Sequence, residues 1–233
     1  MKSSRPQAAV PGRRWAPLPE TRALTAKAPE RPGSPGRRFH NGRTSGVAGT
    51  AHLLGGRVSY YADFILYPML LFALLVFSAR ASRSDRLIWL GAATAGLCGW
   101  TLIEYVLHRF VFHRVPLIAD LHHAHHAQPR AYLGTPTWLT MLILGALVFL
   151  PLWRVSTLNV ALGATSGLTA GWLWYGTVHH VVHQRRPRLL ATMLRSATRR
   201  HGLHHGSRQP GNFGVTTALW DRLFQTTISS RGF

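Results

Sequence analysis

Between Val58 and Val178 the chain sets long apolar stretches against short polar breaks. Val58–Ala79 carries one charge, Asp63, near its start. Leu87–Ile103 runs for 17 residues without a charge and stops at Glu104. Leu133–Trp153 holds 21 uncharged residues, and Val155–Val178 holds 24. A helix needs about 20 apolar residues to cross the hydrocarbon core of a bilayer. Two stretches clear that length, one reaches it with a single acid, and the shortest extends past its ends. A soluble amphipathic helix shows a polar face with a period of about 3.6 residues. None of the four shows one. The pattern predicts an all-α, integral membrane protein with about four transmembrane helices.

Arg80–Arg86 joins the first two segments, and Arg154 with its neighbours, near Pro151, joins the last two. These are two hairpins. They place the N-terminal region, the 104–132 connection and the C-terminal region on one side. That side holds 23 of the 27 basic residues. Lys and Arg mark the cytoplasmic loops of membrane proteins. Both termini are therefore expected in the cytoplasm, under a bacterial-type inner (plasma) membrane. No cleavable signal peptide is visible. Arg13–Arg14 and Arg37–Arg38 are paired, but Pro17 and Glu20 stand where an apolar core would follow the first pair.

Composition narrows the chemistry. The 233 residues carry a formal charge of +20, with 27 Lys+Arg against 7 Asp+Glu. So few carboxylates exclude a site built from many acidic ligands. A single cysteine, Cys98, excludes a disulfide framework and a Cys-rich zinc or iron–sulfur site. Residues 1–57 hold 11 of the basic residues, 7 of the 14 prolines and no apolar run. Such a segment buries too little surface to offset its ordering entropy. It reads as a disordered, solvated tail beside an anionic membrane face, and 58–233 as the membrane domain. No nucleic-acid partner is expected.

The 14 histidines are bunched. Apart from His40 and His52 in the tail, they fall in four clusters on the expected cytoplasmic side. These are His108 and His113; His122, His123, His125 and His126; His179, His180 and His183; and His201, His204 and His205. Residues three or four apart share a helix face. His122, His125 and His126 form one prong, His201, His204 and His205 a second, and His179 with His183 a third. His108 and His113, five apart, fit less well. One metal ion takes about four to six ligands, so ten imidazoles suit two ions on a cytoplasmic helical cap. Imidazole suits iron, zinc, copper and nickel. The Glu-x-x-His pattern of soluble di-iron bundles is missing. His123 and His180 fall between the repeated positions and are expected behind the ligands or at a pocket. Asp120 is expected either to orient an imidazole or to cap a helix starting there. A metal transporter would need polar residues inside the membrane, and only Asp63 and Glu104 lie near it. A non-catalytic metal-binding membrane protein is the alternative from another class.

The pieces Glu104-Tyr-x-x-His108-Arg-Phe-x-Phe-His113, His122-x-x-His125-His126-x-x-Pro129 and Gly134-Thr-Pro-Thr-Trp138 come in that order. His179-x-x-x-His183 and His201-x-x-His204-His205 follow, then Asn212-Phe-Gly-Val-Thr-Thr-Ala-Leu-Trp220-Asp221-Arg-Leu-Phe224. From Glu104 to Thr226 the sequence resembles the membrane-bound fatty acid hydroxylase/sterol desaturase superfamily. Within it, the chain looks like the fatty acid 2-hydroxylase branch and its bacterial relatives. The resemblance implies two iron ions, with zinc able to take their place in purified protein, and O2 as co-substrate. It implies a lipid substrate and a separate electron-donor protein of haem or ferredoxin type. Carried over, the ligands are His108, His113, His122, His125, His126, His179, His183, His201, His204 and His205. The implied reaction is O2-dependent hydroxylation of a lipid C–H bond, in a fatty acid or fatty-acyl lipid. Sterol or carotenoid oxidation, or desaturation, by the same centre is the alternative. Trp172, Trp174 and Tyr175 are candidates for the pocket lining. Trp220 and Asp221 are expected to pack the C-terminal arm under the cap. The sequence departs from the family in three places: His180 takes a Tyr position, Gln184 follows His183 where a second histidine is common, and Gln225 replaces a common Gly.

Overall fold

In the computed structural model of the chain, residues 56–184, 188–207 and 209–229 are described. The expected tail and its His40 and His52 lie outside the described residues, save Gly56 and Arg57 at the start of the first helix. Among the described residues the chain is all helix and turn, without strands. Helix α1 spans Arg57–Ala79. Helix α2 spans Arg83–Phe112 and widens to a π-helix over Leu107–Phe112. Helix α3 is Pro116–Ala127. Helix α4 spans Thr137–Val155, with a π-turn at Gly145–Phe149. Helix α5 is Leu158–His183. Three short helices follow: α6 Arg188–Met193, α7 Arg195–Gly206 and α8 Leu219–Leu223.

Local chemistry sets the starts. Ser82 Oγ accepts from Asp85 N at 3.2 Å and begins α2. Thr157 Oγ1 accepts from Val160 N at 3.3 Å and begins α5. Pro116 stands at the first position of α3, where its missing N–H costs no hydrogen bond. Asp120 therefore lies one turn inside α3 and is exposed. It does not cap the helix, because α3 begins earlier than the histidine spacing suggested.

Helices α1, α2 and α4 are each long and apolar enough to cross a membrane, with mean hydropathies of 2.0, 1.3 and 1.8. They mark the chain as a membrane protein. Large apolar side chains such as Ile65, Met69, Phe72, Leu142 and Leu147 are exposed along them. In water such faces would drive association; in lipid they are at home. The fourth expected segment forms α5, with 26 residues. It is not among the helices apolar enough to span by length and composition. The reason is its small, polar make-up. Ala161, Gly163, Ser166, Gly167, Thr169 and Gly171 are buried in it. Ser166 and Thr169 satisfy their hydroxyls on carbonyls one turn back, at 2.7 and 2.8 Å.

Gly163, Gly167 and Gly171 recur every four residues and form a seam against α2. A Cβ at Gly163 would overlap the Trp89 carbonyl, one at Gly167 the Ala93 carbonyl, and one at Gly171 the Trp100 ring. From the other side, a Cβ at Gly96 would overlap the Ala164 carbonyl. Small residues at this spacing let two helix backbones touch. The hydroxyl-bearing helix is thus sheltered inside, while leucine-rich helices surround it.

The C-terminal arm folds under the cap. Two buried carboxylates grip it. Glu104, near the end of α2, accepts from Val215 N at 2.6 Å, Thr216 N at 2.9 Å and Thr216 Oγ1 at 2.5 Å. Asp221 in α8 accepts from Phe213 N at 2.9 Å, Gly214 N at 2.8 Å and Thr226 Oγ1 at 2.7 Å. Trp220 Nε1 donates to Thr101 Oγ1 at 3.0 Å. Gln225 sits at φ 55°, a left-handed conformation that favours glycine.

Replacing Gly167 by Val should weaken the α2–α5 seam by about 1–3 kcal/mol, the usual cost of overpacking. Gly99→Ala, where an added Cβ meets nothing within 4 Å, should change little. Thermal unfolding in detergent reads the difference; equal midpoints would mean that the seam does not form.

Candidate metal centre

Each histidine prong is built by a different helical device. In an α-helix, residues five apart point in different directions, which set His108 against His113. The π-helix over Leu107–Phe112 removes that conflict, because its i→i+5 repeat puts both on one face. Their rings stack at 5.3 Å with a 15° interplanar angle. Helix α3 carries His122, His125 and His126, α5 carries His179 and His183, and α7 carries His201, His204 and His205.

These side chains meet in two groups. In the first, one ring nitrogen each from His108, His113, His122, His126 and His204 lies within 4.8 Å of all the others. In the second, the same holds for His125, His183, His201 and His205. His179 adjoins the second group, its Nε2 3.1 Å from His125 Nε2. The i, i+4 pair of α3 serves the first group and its middle histidine the second. Helix α7 does the reverse. Adjacent histidines therefore straddle the two groups, and His126 and His205 stack between them at 4.1 Å.

The donor set calls for cations. His108 Nδ1 donates to Phe213 O at 2.6 Å, and His204 Nδ1 donates to Gly211 O at 2.8 Å. A carbonyl only accepts, so in a neutral ring the proton stays on Nδ1 and Nε2 keeps a bare lone pair. His122 Nε2 lies 3.0 to 3.2 Å from the Nε2 atoms of His126, His108 and His113. One proton cannot bond three nitrogens. No carboxylate belongs to either group. The chemistry is that of a metal site with nitrogen ligands, and the residues fit metal ions. Burial holds the imidazoles neutral, with neighbouring imidazoles pushing the same way. His113 is pushed down to about 4, and His125, His126 and His205 to about 3. His122, His201 and His204 also lie below the usual histidine range, mainly through burial. Lone pairs are therefore free at neutral pH.

The two gripping carboxylates reach this centre indirectly. They fix the 213–216 backbone, and Phe213 O orients His108. The sequence offered only a faint signal: Glu104 as a lone acid ending an apolar run, and Asp221 as an arm-packing residue.

Of the three supporting candidates, none joins either group. His123 is exposed on α3. Asp120 is exposed as well. His180 accepts or donates at Nδ1 with Tyr60 OH, 2.9 Å away, and packs on Tyr60, Tyr61 and Phe64. Gln184 donates from Nε2 to Arg130 O at 3.1 Å, so the residue after His183 ties down a loop.

Beside the centre lies a cavity of about 190 Å3. Its walls include Phe64, Phe112, Ile118, Leu121, Leu133, Trp172 and Tyr175, and it touches His122, His125 and His179. It therefore meets both groups. Trp172 and Tyr175 line it as expected, whereas Trp174 is 47% exposed and is not a lining residue. Asp63 also reaches the wall, accepting from Thr137 Oγ1 at 2.5 Å and Trp172 Nε1 at 3.1 Å.

A family model described as fatty acid hydroxylase matches residues 93–226, more than half of the chain. The chain belongs to the fatty acid hydroxylase family. It is 28% identical over 166 residues to a dihydroceramide fatty acyl 2-hydroxylase of Arabidopsis thaliana, covering 65% of this chain and 67% of that one. It is 30% identical over 182 residues to the fatty acid 2-hydroxylase of Mus musculus, covering 73% of this chain and 48% of the mouse protein. The chain thus spans about half the length of that relative. The hydroxylase domain visible in a solved structure of full-length scs7p shares the fold, with a TM-score of 0.62 and 22% identity over 73% of this chain and 67% of that one.

Unfolded imidazoles take up protons near pH 6.5, while the buried ones refuse them until about pH 3 to 4. Between those values the unfolded chain binds more protons, so stability falls as pH falls. The metal-free protein should keep its full melting temperature above pH 6.5 and lose it progressively toward pH 5. A flat profile would mean that the imidazoles protonate in the folded state.

Proposed function

We propose that the chain is a membrane oxygenase that hydroxylates a C–H bond of a fatty acid or fatty-acyl lipid, using two iron ions held by the ten clustered histidines. The observation that carries this is the meeting of both imidazole groups at one apolar cavity. Redox-active ions bound there would supply O2 activation and attack on an unreactive C–H bond, drawing electrons from a partner. Zinc accepts the same donors but cannot cycle electrons.

The protein's residues do the rest. Phe64, Phe112, Ile118, Leu121 and Leu133 offer an alkyl chain an apolar bed and exclude water. Ligand cavities commonly measure about 300–1,000 Å3. This smaller one suits the reacting part of a lipid whose remainder stays in the bilayer. Tyr175, stacked on His179 at 5.7 Å, forms the wall between chain and ligand. Residues 58–233 form the membrane domain, with α5 crossing as the fourth, sheltered span. The cap and both termini face the cytoplasm of a bacterial-type cell. A separate haem or ferredoxin-type protein supplies electrons; exposed Arg114, Arg130 and Arg195 give the cap a positive surface suited to an acidic donor. The names of the Arabidopsis and mouse relatives support a fatty-acyl substrate.

Mass spectrometry of total lipids from cells expressing the wild type or His204→Ala/His205→Ala tests this. A species heavier by one oxygen, present only with the wild type, is expected. A species lighter by two hydrogens would make the chain a desaturase instead. Elemental analysis should find iron in the active protein; full activity with zinc alone would overturn the redox reading.

A further inference from the structure

We infer that the two imidazole groups bind metal unequally: the group of His108, His113, His122, His126 and His204 fills first, and the group of His125, His183, His201 and His205 fills second and releases its ion first. This deepens the reading of the cap as a two-metal centre and rests on it.

The difference lies on the far side of four rings, two in each group. In the first group, two ligand rings are anchored at Nδ1. His108 donates to Phe213 O at 2.6 Å and His204 to Gly211 O at 2.8 Å. Both bonds hold the proton away from the centre, so these rings present bare Nε2 atoms before any ion arrives. The accepting carbonyls are themselves held. Asp221 fixes Phe213 N and Gly214 N, and Asn212 N donates to Thr226 O at 2.8 Å. Anchored imidazoles are oriented and made more basic toward metal.

In the second group, His201 Nδ1 and His205 Nδ1 are buried and meet no hydrogen-bond partner among the described residues. Without an ion, a neutral ring gains by carrying its proton on Nε2, where a neighbour can accept it. His201 Nε2 lies 2.8 Å from His183 Nε2, well placed for one such N–H···N bond. To bind metal through Nε2, the ring must break that bond and move the proton to Nδ1, where nothing receives it. A buried donor without an acceptor is costly. The first group meets no such cost at its anchored rings. The second step should be weaker by at least about tenfold.

The test is a Co(II) titration of the full chain, stripped of metal in detergent, followed by calorimetry and by the visible absorption of bound cobalt. Two steps of one ion each are expected, the second at least about tenfold weaker. His204→Ala should abolish the tight step and leave the weak one, and His183→Ala should do the reverse. Equal affinities, or loss of the tight step in His183→Ala, would overturn the inference while leaving a two-metal centre. Binding of no cobalt at all would instead overturn the metal-centre reading itself. Should either variant fail to fold, anomalous diffraction from wild-type crystals given one equivalent of Co(II) decides. A peak confined to the first group is expected, and one shared between the groups or confined to the second refutes it.

Discussion

Nitrogen lone pairs that face one another repel, and this chain gathers ten imidazoles, four of them buried, with ring nitrogens facing inward. The arrangement stands only if something outside the centre holds each ring and something inside it attracts each nitrogen. The outer part is visible. His108 and His204 are pinned by backbone carbonyls of the arm, and His122 packs on the Phe112 ring. A cation bound to the ring nitrogens would supply the inner part. Most other features of the fold can be derived from keeping those rings in place.

The ligand-bearing helices must end at one level, and the glycine seam sets that level. Backbone contact between α2 and α5 fixes their relative height, so His108 of α2 and His179 of α5 reach one level and both pack on His201 of α7. Glu104 then ties the arm to α2, and Asp221 tightens the turn that presents Phe213 O. The cap inherits its geometry from a contact buried between the helices. An oversized residue at Gly167 would thus disturb the seam and the centre together.

The sequence made some of this legible. Ten clustered histidines at helical spacing pointed to two ions, and all ten converge. The apolar stretches pointed to membrane helices, and three qualify by length and composition. The fourth differed because hydropathy measures what a helix offers to lipid, whereas α5 offers glycines and hydroxyls to other helices. The i, i+5 spacing of His108 and His113 looked poor because α-helical geometry was assumed; the π-turn corrects it. Asp120 was misplaced because Pro116 starts α3 a turn sooner than a cap at Asp120 would need. Trp174 looked like its neighbour Trp172, but only the structure tells which face of α5 meets the cavity. Gln225 stood out as a residue in a common glycine place, and its positive φ gives the physical reason glycine suits it.

The placement of the acids follows from the same constraint. Only seven Asp and Glu exist in the chain, and the two in the cap that are buried, Glu104 and Asp221, belong to neither imidazole group. A carboxylate among the ligands would neutralise part of the ions' charge directly. Here the carboxylates accept instead from the peptide N–H groups of the arm, whose carbonyls accept from ligand rings. Negative charge next to a peptide N–H polarises that amide, and the polarised arm in turn strengthens the hold on His108 Nδ1–H. Asp221 thereby supports the basicity and orientation of His108 without joining either imidazole group, and Glu104 holds the arm in place beside it. Clustered imidazoles in a strongly basic protein can thus stay ordered with no carboxylate in either group.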